Sequence, residues 1–532
     1  MQTCAALNHR GDSIAFVRET FLGLHDVRTG RVQLKNIRPS LHKIKPKALK
    51  WSDDSGSILI LGDNGIKVEN VAKRPGTIAD LDNGSGGFGH IVAAEFVGKD
   101  EIVVTWEFGK TRICHLRTGK HVELPDAKMI GSGQVRALRP TTKENSTATL
   151  LVLLSRSGAE DALARYFTGT FLPRASIKLA TTDAQSLSWS PDGRWLAVLD
   201  VPSSSPSIHI YTPDGHLFRS YSSPNEENGE LGTKSASWSP ESRLLALAKH
   251  DNTIELLNTK TFTPVAILQH PISIDQKLLS SDSQVPVWQE SVSAANVRTY
   301  SLMPHPVSPP LSKARSSTEP DELGISELCF NCDGSYIATR DNRSLSTTWL
   351  WNVTNYSLHA VVVLHNNVRK LLWHPTRTHT LMIDCGESMA HIYDLSSQEG
   401  PQVVLTECKP KATLTWLWTQ PESKAIILAT EKLKFALVYP EGQDDQATLP
   451  PPIEPNNLED SFYEDGAEDS LLEILSGRKP IHPKTEPSYT EMVDDLVVEA
   501  ATSEELDDTF REKKQRANVK PDFDPLDDSQ IF

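Results

Sequence analysis

Cys329-Phe330-Asn331-Cys332 spaces two thiols as a redox pair or half of a zinc site would. Gly84-Ser85-Gly86-Gly87-Phe88-Gly89 fits the G-x-G-x-x-G pattern of a phosphate cradle. His374, between Trp373 and Pro375, places an imidazole where a tight turn is expected. Each motif needs a context to become reactive. A zinc site needs a second close cysteine pair, and the six cysteines of the chain supply none. A phosphate cradle needs a helix N-terminus behind it, whereas the following HIVAAEFVGKDEIVV reads as strand, turn, strand. No Ser/His/Asp set, paired catalytic carboxylates or His-rich ligand spacing stands out. The expectation is a protein with no catalytic, cofactor-binding or metal-ligating residues, hence not an enzyme.

The elements around these motifs explain them better. SLSWSPDGRWLAVLD (residues 186–200) is echoed by SASWSPESRLLALAK (residues 235–249). Pro191, Asp192 and Gly193 form a tight turn, and Trp195 to Leu199 is a continuous apolar run suited to a strand buried on both faces. SIHIY, a PDG turn and HLFRSY complete a four-stranded meander. CFNCDGSYIA lies in register with SWSPDGRWLA, so Cys329 and Cys332 take scaffold positions, and His374 replaces the turn serines Ser190 and Ser239. Taking the residue before each turn as a marker gives Leu7, Trp51, Phe96, Leu138, Trp189, Trp238, Phe330, Trp373 and Trp418. Their spacings are 44, 45, 42, 51, 49, 92, 43 and 45 residues. A period of about 40–45 residues with four short strands is that of a WD-type β-propeller. The fold expected is all-β: one large propeller over residues 1–440, nine units counted, with seven or eight blades as the fallback. Where Trp-Asp would stand, the chain has His25-Asp26, Tyr211-Thr212, Trp351-Asn352 and Tyr393-Asp394, so the repeats are divergent. Trp349 and Trp416, two residues before Trp351 and Trp418, read as core on the same strand face.

Two regions fall outside the period. Residues 271–323, rich in Pro and Ser, read as a mobile loop insertion, of which residues 275–320 are expected to be removable without loss of the ring. Residues 441–532 form an acidic tail, partly helical or disordered, with 25 acidic and 8 basic side chains, a net −17 that leaves +2 for residues 1–440. Such a balance argues against RNA or other nucleic acid as a direct partner. Leu471, Leu472, Ile474 and Leu475 make an apolar stripe on a segment too short to be a stable helix alone, and Met492, Leu496 and Val497 make a second. These stripes are the candidate partner-binding residues. No run of 18 apolar residues and no secretory leader are read, and the sparse cysteines suit a reducing compartment, where the sequons at Asn145, Asn342, Asn352 and Asn355 carry no weight.

SWSPDGRWLAVLD, YTPDGHLFRSY, KSASWSPESRLLALAKHDNTIELLN and ILQHP, the insertion, then ISELCFNCDGSYIATRDN, TTWLWNV, LLWHP and HIYDL together resemble the WRAP family of eukaryotic WD-repeat proteins. The resemblance is strongest over residues 186–440. It implies a non-catalytic adaptor of the centrosome or spindle pole body in the cytoplasm. It further implies a coiled-coil microtubule-anchoring protein as partner and, as in fungal members, a minus-end-directed kinesin. No site residue carries over from the family, and the ring is expected to be monomeric. The rival class is a propeller of translation initiation that binds the ribosome or initiator tRNA; such proteins typically add basic tails. A propeller hydrolase would need a convergent polar set in the channel.

Overall fold

The computed structural model describes residues 5–442 except 19–20, 37–45, 63, 72–75, 84–87, 131–132, 141–149, 171, 224–230, 276–283, 312–322, 418–423 and 432–433. Compact units divide the chain at residue 450, and residues 451–532 lie outside the described residues.

Each blade begins with a short strand that ends at the marker residue and turns tightly. In blades 1, 2, 5, 6, 7 and 8 the side chain after the marker closes that turn. Ser190 Oγ accepts the Trp195 amide at 3.0 Å, Asp192 Oδ1 accepts the Arg194 amide at 3.0 Å, and Gly193 takes φ 67°. Asn8, Ser52, Ser239 and Asn331 accept the equivalent amides in their own blades. The second strand then runs through the middle of the blade, as in Leu196–Leu199 and Glu101–Trp106, where every residue is buried. The outermost strand is largely exposed, as in Pro173–Lys178.

Nine such blades follow in chain order: residues 5–36, 46–82, 91–124, 136–178, 186–221, 233–269, 325–363, 370–405 and 413–438. Eight are antiparallel meanders of four strands, and the ninth has three among the described residues. The fallback of seven or eight blades is not needed. A short hairpin, Met129–Ile130 with Gly133–Gln134, sits between blades 3 and 4.

The period has a hydrogen-bond cause. The marker indole N–H of one blade donates to the backbone of the blade before: Trp51 to Ala6 O at 2.9 Å, Trp238 to Ser188 O at 3.3 Å, Trp373 to Cys329 O at 3.1 Å. Trp416 donates to Leu372 O at 2.9 Å and ends the strand Thr413–Trp416. The marker of blade 9 is therefore Trp416, which corrects the reading of Trp418; Trp418 lies outside the described residues.

The insertion is also corrected. Its residues Val287–Val292 and Arg298–Leu302 form a hairpin, and the first strand pairs in parallel with the outermost strand of blade 7, Ser357–Val363, making a six-stranded sheet. Ser357–Val363 ends in the apolar run Ala360 to Val363, and an uncovered edge of that kind is a liability. Alternation sends Val287 into the apolar cluster between blades 6 and 7, with Leu268, Ile274 and Val361. Trp288 goes to the cluster of blades 7 and 8. A loop rich in Pro and Ser thus contains a wedge that joins three blades.

The ring closes where blade 9 meets blade 1. Leu417 and Leu428 pack with Ala5 and Ile14, and the Phe435 ring lies 5.4 Å from Phe16. Among the described residues no strand is shared across this seam.

Candidate functional site

Most motifs singled out for chemistry are absorbed into the scaffold. Cys329 lies one residue before the end of its strand, Ile325–Phe330, with Sγ 3.8 Å from Ala338 O and 3.7 Å from Leu371 O, and burial pushes its thiol up to about 12. Burial also raises the Cys332 thiol, with Asp333 adding to it. Both cysteines are free. A thiol kept protonated in this way is a poor nucleophile and a poor metal ligand. Among the described residues, no group of three or more His, Cys, Asp or Glu is placed to hold a metal ion.

Gly84 to Gly87 of the glycine motif lie outside the described residues. The Phe88 ring lies tilted against Trp106, centroids 5.7 Å apart, with the Arg112 guanidinium 4.6 Å over its face. Gly89 has φ 79° and leads into the strand Ile91–Phe96, so the helix a phosphate cradle requires is replaced by a strand.

His374 is fully buried and does the work of a turn serine. Its Nδ1 accepts the amides of Thr376 at 3.3 Å and Arg377 at 3.1 Å, and the ring meets Trp416 edge-on at 4.9 Å. Burial, reinforced by the Arg377 charge, lowers its pKa to about 4. Trp349 and Trp351 are core, 1% and 4% exposed, as is Trp416 at 5%.

Blade 7 holds a polar relay that spacing alone did not expose. Trp351 Nε1 donates to Thr339 Oγ1 at 3.0 Å, Thr339 Oγ1 stands 2.9 Å from His270 Nε2, and His270 Nδ1 stands 2.9 Å from Asp341 Oδ2. One consistent direction satisfies it, with Trp N–H to Thr, Thr O–H to His, and His N–H to Asp. Asp341 also accepts the Ser344 amide at 2.8 Å. His270 is packed flat against both Trp349 and Trp351. Burial lowers the His270 pKa against the pull of Asp341, so the imidazole is neutral. The relay ties the end of blade 6 to blade 7 across the insertion. The available sequence signal was His270 in ILQHP, just past a strand end, and Asp341 in TRDN, the last residue of its strand.

The docked hairpin adds a second buried set. Arg298 bridges Glu290 at 2.9 Å and Glu387 at 2.7 Å, Glu290 Oε2 accepts the His365 amide at 2.7 Å, and Tyr300 Oη lies 2.8 Å from His391 Nδ1. Burial raises the Tyr300 pKa, and the Glu290 charge adds to it. This set holds the hairpin to blade 8 and gives no nucleophile with an open approach.

The candidate partner-binding residues Leu471, Leu472, Ile474 and Leu475, with Met492, Leu496 and Val497, lie outside the described residues. No helix among the described residues is long and apolar enough to cross a membrane.

No protein-family model matches the chain. An uncharacterized WD repeat-containing protein of Schizosaccharomyces pombe is 32% identical over 278 residues, 52% of this chain and 53% of that protein. The WD repeat-containing protein WRAP73 of Mus musculus is 24% identical over 251 residues, 44% of this chain and 53% of that protein. The chain is a WD-repeat protein. It spans about half the length of the curated relatives it matches. Among solved structures, a eukaryotic initiation factor is similar at TM-score 0.46 and 10% identity, covering 75% of this chain and 86% of that one. The C-terminal WD40 domain of Sif2 is similar at TM-score 0.41 and 13% identity, covering 75% and 94%. Likenesses of that order carry no functional argument. For this WD-repeat ring, the described chemistry of the blades is structural.

Proposed function

We propose that this WD-repeat ring is a non-catalytic adaptor of the spindle pole or centrosome. In this reading it helps anchor microtubule minus ends through a coiled-coil partner and a minus-end-directed kinesin. The observation that carries it is the similarity to WRAP73 over 251 residues, in a chain whose motif order resembles that family. The structure is compatible with it: the cysteines and buried polar groups described in the blades are turn closures and inter-blade ties, leaving a rigid ring of exposed strand edges and loops. In this proposal the acidic tail is a second contact, its Leu471–Leu475 stripe folding on a groove of a partner. The tail's net −17 disfavours direct attachment to an acidic microtubule surface, so tubulin is reached through the partner.

Localisation of the full chain fused to a fluorescent protein tests the reading. Accumulation at spindle poles, with recovery of a coiled-coil protein in pull-downs, supports it. Diffuse signal together with co-sedimentation with ribosomes overturns it. A Leu471→Asp/Leu475→Asp variant that localises and recovers the partner like the parent removes the tail from the mechanism.

A further inference from the structure

The outermost strand of blade 6, Pro264–Gln269, reads PVAILQ, a continuous apolar run that alternation splits between two faces. One face is covered: Ala266 and Leu268 pack into the cluster that the insertion completes with Val287, Met303 and Val307. The other face turns toward blade 5, because Ile267 is paired with Glu255, whose carboxylate accepts the Tyr221 hydroxyl of blade 5. There Val265 is 42% and Ile267 63% exposed. Across the rim, Phe218 of blade 5 is 48% exposed and rests against Phe262 at 5.9 Å. Among the described residues nothing pairs with the free edge of this strand. The neighbouring edge of the same character, Ser357–Val363 of blade 7, is capped by an added parallel strand from the insertion. The chain itself therefore shows how such an edge is covered in this ring.

Charge selects what could cover the open one. Arg219, on the blade 6 side of the blade 5 strand, and Lys260, in the turn leading to Pro264–Gln269, are both exposed, and neither is in an ion pair among the described residues. A second copy docked through the same face would bring these cations toward their own kind. An acidic segment would meet them favourably.

We propose that the rim between blades 5 and 6 is a docking site for an acidic, extended segment of a partner protein. The segment adds as a strand to Pro264–Gln269, with alternate apolar side chains against Phe218, Val265 and Ile267. Backbone pairing supplies affinity and the apolar contacts supply register. This inference stands apart from the spindle-pole reading, since it rests only on the ring.

The test uses the full chain and a fluorescein-labelled nine-residue peptide whose central five residues alternate Val or Ile with Thr and whose two ends are Asp or Glu, followed by fluorescence anisotropy at low salt. The expected dissociation constant is on the order of tens of micromolar, typical of a short strand-addition ligand. Ile267→Asp should weaken binding by about tenfold or more, since it places a charge at the centre of the apolar contact. Arg219→Glu should weaken binding several-fold and flatten its dependence on salt. Both positions are exposed, so the thermal midpoint of each variant should match the parent and report intact folding. No binding overturns the proposal, as does binding unaffected by Ile267→Asp. Equal binding of a peptide with the same residues in separate acidic and apolar blocks removes the strand register, and equal binding of a Lys-for-acid peptide removes the charge argument; either overturns it. Self-association lost in Ile267→Asp would make a second copy the occupant and also overturn it.

Discussion

At the scale of single residues, two buried histidines make the ring sensitive to acid. His374 accepts two amides through Nδ1, so protonating that nitrogen forfeits both bonds. Its folded pKa, about 4, lies below the ordinary value of 6.5. Below pH 6.5 the unfolded chain therefore binds a proton that the folded chain refuses. Stability is full above about 6.5 and falls as pH drops toward 4, by up to roughly 3 kcal/mol from this group. His270, also lowered by burial, adds loss in the same direction over the range below 6.5. Asn331 and Asn8 close equivalent turns with an amide oxygen. His374→Asn should thus cost only about 1 kcal/mol near neutrality. It should flatten the fall of the thermal midpoint between pH 6.5 and 4.5, which calorimetry at several pH values checks. His270→Ala is harsher, because it empties the space against Trp349 and Trp351 and takes one hydrogen bond each from Thr339 and the buried Asp341, which keeps the Ser344 amide and Arg343. About 2–4 kcal/mol should be lost, read from urea unfolding. The role of His374 was legible from its register with Ser190 and Ser239. The His270 relay was not, because its members are separated by 69 and 71 residues and only the folded ring brings them together.

At the scale of elements, the repeat was legible because most blades repeat the same local physics: a marker residue, a side chain that closes a turn, and a largely buried second strand. The eroded Trp-Asp dipeptides are explained in the same terms. Asp26 Oδ1 accepts the amides of Arg28 and Thr29, both at 2.9 Å. Asn258, Asn352 and His115 accept the equivalent turn amides. What the turn needs is an acceptor, and several residue types provide one. The insertion was misread because composition reports an average. Its hairpin, flanked by Pro- and Ser-rich stretches, carries Val287, Trp288, Glu290, Arg298 and Tyr300, whose partners lie on other blades. Removing residues 284–311 should lower the thermal midpoint rather than leave the ring untouched. Arg298→Ala isolates the mechanism: it leaves Glu290, with a side chain 1% exposed, unpaired, and should cost about 3 kcal/mol in denaturant unfolding. Gly400 gives an independent check, since a Cβ there would stand 2.7 Å from the Trp288 ring, so Gly400→Val should loosen the hairpin selectively.

At the scale of the whole molecule, the closing seam differs from the other blade junctions in kind. The other seams are crossed by chain continuity and, in several cases, by an indole-to-backbone bond. Between blades 9 and 1 the described contacts are apolar packing, centred on Phe435 against Phe16 and His25 at 5.4 and 5.7 Å. Among the described residues, no strand is shared there to tie the two ends together. A nine-bladed ring held in this way should open at its seam before it melts elsewhere, since a solenoid-like array loses stability first where the nearest-neighbour term is weakest. Phe435→Ala removes the ring from the centre of that contact and should cost about 2–4 kcal/mol of local stability, at the lower part of the range for buried aromatics because Phe435 is only partly buried. Hydrogen exchange followed by mass spectrometry distinguishes this from general destabilisation. In the variant, protection should fall in Ala5–Leu7, Ser13–Arg18 and Ile427–Thr430, while Leu196–Leu199 and Leu244–Lys249, deep in blades 5 and 6, keep the parent rates. Uniform loss across all blades would show instead that the ring unfolds as one cooperative unit, with closure no weaker than any other junction.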